Sequence, residues 1–293
     1  MKFFSNFHPA ALMLYFLGML LAAMFSGNPV ILILALLGGG SFAWLLSEPR
    51  ERREDLGFYL GLLVLVTLTN PLFSHNGVTP LFFLNGNPVT LEAIVYGFFT
   101  GLTVVSVILW CKCYNKVMST DNFLYLFGRV IPSLSLVLSM ALRYVPMLKR
   151  QAGKVERAQK TMGLYASDSR FDRIRSKLMV FSSLVGWSLE NAVEVSRSMR
   201  ARGYGLSGHT SYSNYHFTGR DLLLLGATIL AIGLYFGTSV LDLGRFSFYP
   251  AITALDTRPL ALVQYIAFGL LSMAPALIET EETLRWNYSR SKI

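Results

Sequence analysis

Charge is scarce in this chain of 293 residues. Asp, Glu, Lys and Arg together make up 15% of it, against roughly 25% in an average soluble domain. Hydrophobic residues account for 53%, and the mean hydropathy is +0.46. This balance excludes an ordinary soluble globular protein and indicates an integral membrane protein.

Residues that bind metals or form disulfides are also few. The chain has two cysteines, and Cys111 and Cys113 lie one residue apart at the predicted cytoplasmic end of a helix, where thiols stay reduced. The four histidines are scattered and form no His-x-x-x-His pair. We expect unpaired thiols and no metal site, the alternative for the cysteines being metal binding.

Sequence signatures of catalysis are missing as well. The chain has no Gly-x-x-x-x-Gly-Lys-Ser/Thr segment to hold nucleotide phosphates, so any ATP hydrolysis would belong to a partner. Its apolar runs hold no ionisable residue near their middle, although a proton-coupled carrier needs such groups. The cations lack the interleaved aromatic residues typical of nucleic-acid binding. We therefore predict a non-enzymatic protein with no cofactor of its own and no nucleic-acid partner.

What the chain has instead is long apolar runs. A membrane-spanning helix needs about 17 to 25 residues, and six runs reach that length: Pro9 to Phe25, Pro29 to Leu46, Leu56 to Phe73, Leu91 to Cys111, Leu222 to Leu241, and Pro259 to Ile278. The first two are separated by the turn-forming residues Ser26 to Pro29, so they form either two spans or one broken hairpin. The prediction is an all-α, polytopic membrane protein with about six spans.

The net charge of +9 is distributed unevenly along the chain. Cations follow the second, fourth and sixth runs: Arg50, Arg52, Arg53; Lys112, Lys116; Arg285, Arg290 and Lys292. Because cytoplasmic loops carry the excess of Lys and Arg, these positions predict a multi-pass protein of the cell membrane with both termini in the cytoplasm.

Three regions follow from this pattern. Residues 1–114 form a first membrane region of about four spans, residues 115–215 a cation-rich middle, and residues 216–293 a second membrane region of about two spans. The middle begins with the apolar segment Phe123 to Val145, which contains Arg129. An arginine at mid-bilayer costs at least a few kcal/mol, so we place this segment at the cytoplasmic interface.

Two long amphipathic helices are predicted in the middle region, from Pro132 or Ser133 to Met162 and from Phe171 to Arg202. Each stops before a glycine suited to a left-handed cap. Their ends can be superposed: Arg157 on Arg197, Lys160 on Arg200, Thr161-Met162-Gly163 on Ala201-Arg202-Gly203. Cations and glycine are common at any helix C-terminus, which is the alternative explanation. A guanidinium at such a tip can pair bidentately with carboxylates, which suits an acidic groove on a soluble protein.

Four segments resemble the transmembrane T component of energy-coupling factor transporters, which take up vitamins and transition-metal ions. They are Asn70 to Thr79, Phe123 to Arg129, Ser139 to Pro146, and Ser198 to Gly205 with the coupling signature Ala201-Arg202-Gly203. The resemblance covers nearly the whole chain. It implies that the two long helices are coupling helices that cross beneath the membrane.

The resemblance also implies partners: two ATP-binding cassette ATPases that bind ATP and Mg²⁺, and one small substrate-binding membrane subunit. The helix tips would seat on the ATPases, which the unequal tips predict to be non-identical. An apolar face would dock the substrate-binding subunit through Leu138, Leu142, Leu178, Phe181, Val185 and Leu189, unless these residues simply pack the two helices together. The rival functions are a self-contained channel or carrier and an intramembrane enzyme. The solute is not readable from this chain, because in the family another subunit binds it.

Overall fold

The computed structural model describes residues 3–74, 77–84, 87–163, 170–206, 215–240, 246–248, 253 and 256–290. Helices dominate these residues: α1 (Pro9–Phe25), α2 (Pro29–Leu46), α3 (Pro49–Phe73), α4 (Leu91–Val117), α5 (Thr120–Val130), α6 (Pro132–Thr161), α7 (Arg170–Ala201), α8 (Gly219–Val240) and α9 (Pro259–Arg290). A short 3-10 helix, Phe4–Asn6, precedes α1. Strands β1 (Pro80–Leu84) and β2 (Asn87–Thr90) pair antiparallel.

Five of these helices are long and apolar enough to cross a membrane: α2, α3, α4, α8 and α9. Helix α1 is apolar but has 17 residues, at the short limit for a span. The predicted all-α polytopic architecture is therefore confirmed. Helices α1 and α2 are separate, because Pro29 begins the second one and the Asn28 side chain accepts a hydrogen bond from the Val30 amide at 3.0 Å. The predicted end of the fifth run at Leu241 lies outside the described residues.

The chain divides into two compact units. The first, Met1–Phe123 with Tyr215–Ile293, contains all the candidate spans. Within it α4 packs against α1, α2 and α3, while α9 packs against α2 and α8. The first unit therefore joins the two membrane regions that the middle of the sequence separates.

Aromatic side chains fill the core of the first unit. Trp110, Tyr15, Phe16, Phe42 and Phe268 are almost completely buried. The Trp110 indole N–H donates to the Ala35 carbonyl at 3.0 Å, and the Tyr15 hydroxyl donates to the Leu271 carbonyl at 2.9 Å. Each polar aromatic group thus has a partner inside an apolar interior, where an unpaired donor would be costly.

Two buried carboxylates in this unit bind the segment before α1. Glu279 accepts from the amides of Phe3 and Phe4, at 3.2 and 3.0 Å. Asp221 accepts from the His8 amide at 2.7 Å and from the Thr218 hydroxyl at 2.6 Å. Both buried groups therefore have hydrogen-bond donors, and the two carboxylates tie α8 and α9 to the segment before α1.

Helix α3 begins at Pro49, seven residues before the apolar run that predicted it. The added turns carry charged residues, which an apolar run does not include. Two of these residues pair with the end of α4: Asp55 with Lys112 and Glu51 with Lys116. Lys116 also donates to the Ser47 hydroxyl at 3.2 Å. Cations at the end of α4 therefore fix the beginning of α3.

The second unit, Leu124–Asn214, contains α6 and α7, which contact each other. Helix α6 has 30 residues and α7 has 32, so at about 1.5 Å per residue they extend roughly 45 and 48 Å. The bounds confirm the two predicted long helices. Most of their side chains are exposed, although α6 and α7 carry many apolar residues.

Candidate functional site

The end of α7 forms a complete glycine cap. Gly203 has a φ of +87°, in the left-handed region that L-residues other than Asn and Asp rarely adopt. Its amide donates to the Arg200 carbonyl at 3.0 Å, and the Tyr204 amide donates to the Met199 carbonyl at 3.0 Å. This bond pair defines a Schellman motif, and it places Arg202 as the last residue before the chain turns away.

The end of α6 turns in the same way. Gly163 has a φ of +78°, its amide donates to the Lys160 carbonyl at 3.1 Å, and the Met162 amide donates to the Ala158 carbonyl at 3.2 Å. The left-handed caps predicted at both glycines are confirmed. The backbone of both tips is therefore alike up to the glycine, and the difference between them lies in their side chains.

The cations at the two tips differ in what they already bind. On α6, Lys160 forms an ion pair with Glu156 at 3.0 Å, and the Arg157 Nε donates to the Gly153 carbonyl at 3.0 Å. On α7, Arg197, Arg200 and Arg202 are exposed. Across the part of the chain that the structure describes, the ion pairs do not include these three arginines. The α7 tip thus presents unneutralised guanidinium groups, and the α6 tip presents Met162, which is 70% exposed.

The predicted apolar docking residues are exposed on both helices. They range from 38% exposure at Leu138 to 64% at Phe181 and Leu189; the others are Leu142, Leu178 and Val185. Packing between α6 and α7 leaves each of these six side chains with more than a third of its surface free. Their individual exposure leaves them accessible to a partner, and the docking role stays a prediction.

One polar contact between the helices was missed by the sequence analysis. The Asn191 side-chain amide donates to the Tyr144 hydroxyl at 3.0 Å, which joins α6 and α7 at these two residues. Tyr144 belongs to one of the four segments that carry the resemblance, but periodicity assigns no partner to it. Pairing across two helices depends on their relative rotation, which the residue pattern along each helix does not reveal.

The structure gives no indication of a metal site within its described residues: no group of three or more His, Cys, Asp or Glu side chains is arranged to hold an ion. Cys111 and Cys113 are free thiols, and the buried Cys113 thiol donates to the Gly39 carbonyl at 3.7 Å. His75 and His209, two of the histidines considered above, lie outside the described residues.

This geometry defines a class: polytopic helical membrane proteins with two long, exposed helices that end in glycine caps. Residues 2–212 match the family model of CbiQ, described as cobalt transport protein. The chain belongs to this family, and the match includes both helix tips. It is a transmembrane component of the energy-coupling factor type, as the following relatives indicate.

Several relatives carry the name energy-coupling factor transporter transmembrane protein. The protein of Bacillus selenitireducens is 26% identical over 232 residues, which cover 73% of this chain and 82% of the relative. That of Bacillus subtilis is 28% identical over 188 residues, covering 59% of this chain and 70% of the relative. That of Lactobacillus helveticus is 34% identical over 113 residues, 38% of this chain and 41% of the relative.

Proposed function

We propose that this chain transmits the motion of partner ATPases to a substrate-binding membrane subunit, as the scaffold of an importer for a vitamin or a transition-metal ion. The observation that carries the proposal is the pair of long helices with matching glycine caps and exposed tips. The sequence has no Gly-x-x-x-x-Gly-Lys-Ser/Thr segment, so ATP and Mg²⁺ would be bound by two ATP-binding cassette subunits. The solute would be bound by one small membrane subunit.

The contact with the ATPases is assigned to the two tips. On α7 it comprises Arg197, Arg200, Ala201, Arg202 and Gly203. The unneutralised guanidinium groups there suit carboxylates or exposed carbonyls in a groove of the ATPase. The contact on α6 comprises Arg157, Lys160, Thr161, Met162 and Gly163, and there an apolar side chain takes the position of Arg202.

The proposed mechanism is mechanical. Closure of the ATPase pair on ATP would draw the tips together and rotate α6 and α7. Each is assigned as one continuous helix, although Pro146 removes a backbone hydrogen bond inside α6. Their exposed apolar faces would then reorient the substrate-binding subunit docked on them. In this proposal the movement of the two helices transmits the energy of ATP hydrolysis, and no chemical step occurs in this chain.

Arg202→Glu tests the coupling contact in the affinity-tagged chain, purified with its native partners from membranes in mild detergent. Because the substitution puts a carboxylate where the groove expects a guanidinium, we expect co-purified ATPase to fall at least tenfold, as losing a buried charged contact costs about 2 to 5 kcal/mol. Arg202→Lys should retain part of the binding, since it keeps the charge but loses the bidentate fork.

Arg150→Glu is the matched control. It reverses an exposed cation on α6, twelve residues before Met162 and thus about 18 Å away along the helix. We expect it to leave ATPase recovery unchanged. Full recovery of ATPase with Arg202→Glu would contradict the proposal and would favour a self-contained channel or carrier.

The unequal tips lead us to propose two non-identical ATPases. A photo-crosslinking amino acid at Thr161 or at Ala201, in the assembled complex, labels whatever each tip touches. We expect the two positions to label different ATPase polypeptides, identified by mass spectrometry. Labelling of one and the same polypeptide from both positions would contradict this part of the proposal.

The tips can reach cytoplasmic ATPases if they lie on the cytoplasmic side. The Lys and Arg residues that follow the second, fourth and sixth apolar runs support that orientation. We therefore place both termini in the cytoplasm as well. The solute would follow from the identity of the co-purified small membrane subunit.

A further inference from the structure

An open groove of about 1340 Å³ runs between α8 and α9 in the first unit. Its body is apolar and lined by leucine and alanine side chains, chiefly Leu223, Ala227, Leu230, Ala267, Leu270 and Ala274. The leucines of its walls are exposed, with Leu223 at 74%, Leu230 at 67% and Leu270 at 65%. The groove is larger than the roughly 300 to 1,000 Å³ of small-molecule sites.

One end of the groove is charged, with Arg220, Glu281, Glu282 and Arg285 among its lining residues. Arg220 pairs with Glu282 at 3.6 Å, which places the first turn of α8 beside the C-terminal part of α9. Arg285 pairs with Glu281 at 2.6 Å. Asp221 also lines the groove, but it already accepts hydrogen bonds from the His8 amide and the Thr218 hydroxyl. The rim therefore carries two guanidinium groups beside the carboxylates of Glu281 and Glu282.

The depth of the groove matches one leaflet of a bilayer. From Arg220 to Leu230, α8 rises about 15 Å, half of the roughly 30 Å hydrocarbon core. On α9, Ala267 and Glu282 lie about 22 Å apart, half of the roughly 40 to 45 Å that includes the headgroups. The charged rim thus falls at headgroup depth when the apolar body lies among acyl chains.

We propose that the groove binds a zwitterionic aminophospholipid of that leaflet. Its acyl chains would lie on the alanine floor between the leucine walls. Its phosphate would pair with Arg220 and Arg285, and its primary ammonium, which has three donors, would bind Glu281 and Glu282. An anionic headgroup without an amine leaves the two carboxylates facing negative charge, so the mixed rim selects the zwitterion.

The test uses the full-length chain, purified in detergent and exposed to dioleoyl phosphatidylethanolamine or to dioleoyl phosphatidylglycerol, with bound lipid counted by native mass spectrometry. We expect phosphatidylethanolamine to be retained with about tenfold higher affinity. Equal retention of the two lipids would overturn the proposal, because the acyl chains are the same and the rim would then play no part.

Two pairs of variants separate the rim from the apolar body. Arg285→Gln should lower the affinity about tenfold, whereas Arg290→Gln, an exposed cation at the end of the same helix and outside the groove, should not. Ala227→Trp fills the groove and should abolish retention. Ile229→Trp, exposed on α8 but outside the groove, is its control and rules out general misfolding.

Unchanged retention in Ala227→Trp would overturn the proposal. So would loss of the lipid when the partner subunits co-purify, because that result would assign the groove to a partner helix. The proposal does not depend on the ATPase contact, since the lipid affinities are compared on the chain alone and the complex is used only to ask whether a partner displaces the lipid.

Discussion

At Gly38, helices α2 and α9 approach each other closely enough to exclude a side chain. A Cβ atom built on it would be 2.5 Å from the Ser272 carbonyl oxygen and 2.7 Å from its carbonyl carbon. These are backbone atoms, which cannot rotate away. The glycine therefore sets the spacing of the two helices, as small residues do between packed helices in membranes.

We expect Gly38→Ala to destabilise the protein by about 1 to 3 kcal/mol, the usual cost of overpacking. Thermal unfolding of the detergent-purified chain should show a lower midpoint. Gly40→Ala is the control on the same helix, since its added Cβ meets nothing within 4 Å, and it should be neutral or stabilising by up to about 1 kcal/mol. A lower midpoint for Gly40→Ala alone would contradict this reading of α2.

Individual glycines differ in whether their role can be predicted from the sequence. Spacing alone located Gly163 and Gly203 at the helix ends, because cap chemistry is local. The role of Gly38 depends on Ser272, more than 200 positions away, and nothing in the run Leu36 to Gly40 distinguishes it from Gly40. A close approach between distant segments is a tertiary property.

At the scale of elements, the length of the apolar runs predicted which segments form spans. The runs predicted less well where each helix begins and ends. Helix α3 extends back to Pro49 because its charged first turns pair with α4, and α9 continues to Arg290, beyond the predicted Ile278. Strands β1 and β2 were not predicted. The Asn85-Gly86 dipeptide between them is a hairpin signal, but the short strands carry no clear alternation.

The cap of α7 is the element on which the coupling proposal depends. Gly203→Ala forces an L-residue to φ near +87°, which costs about 1 to 2 kcal/mol. We expect the last turn to fray, which displaces Arg202, and ATPase recovery to fall severalfold in pull-down.

Gly153→Ala serves as the comparison, because Gly153 lies inside α6 with open space around its Cα. It should strengthen the helix slightly and leave ATPase recovery as it was. If Gly203→Ala recovered ATPase as well as Gly153→Ala does, the backbone of the cap would have no part in the contact.

At the scale of the whole molecule, one continuous stretch, Leu124–Asn214, forms a unit apart from the membrane helices. The sequence predicted this stretch from its cations and its two glycine-capped helices. It did not predict how α6 and α7 contact each other, since the Tyr144–Asn191 hydrogen bond joins residues on faces that periodicity leaves undefined.

That hydrogen bond predicts a separation of assembly from transport. Tyr144→Phe and Asn191→Ala should each leave ATPase recovery unchanged, because both tips remain intact. In the reconstituted complex they should lower solute uptake per ATP hydrolysed, by about two- to tenfold, as the helices lose a shared contact worth about 0.5 to 1.5 kcal/mol.

A double-mutant cycle checks that the two side chains act together. The double variant should be no worse than the more impaired single variant, because residues in contact are not additive. Fully additive losses would mean that the two residues act on uptake separately.

The Tyr144–Asn191 contact also divides the two helices unequally. Eighteen residues separate Tyr144 from Met162, and eleven separate Asn191 from Arg202, which is about 27 Å and 16 Å of helix. If this contact is the fulcrum, the α6 tip is the long arm of a lever and the α7 tip the short one. For one angle of rotation the tip of the short arm travels less, and for one torque it exerts more force. The short arm is the one that carries the arginines.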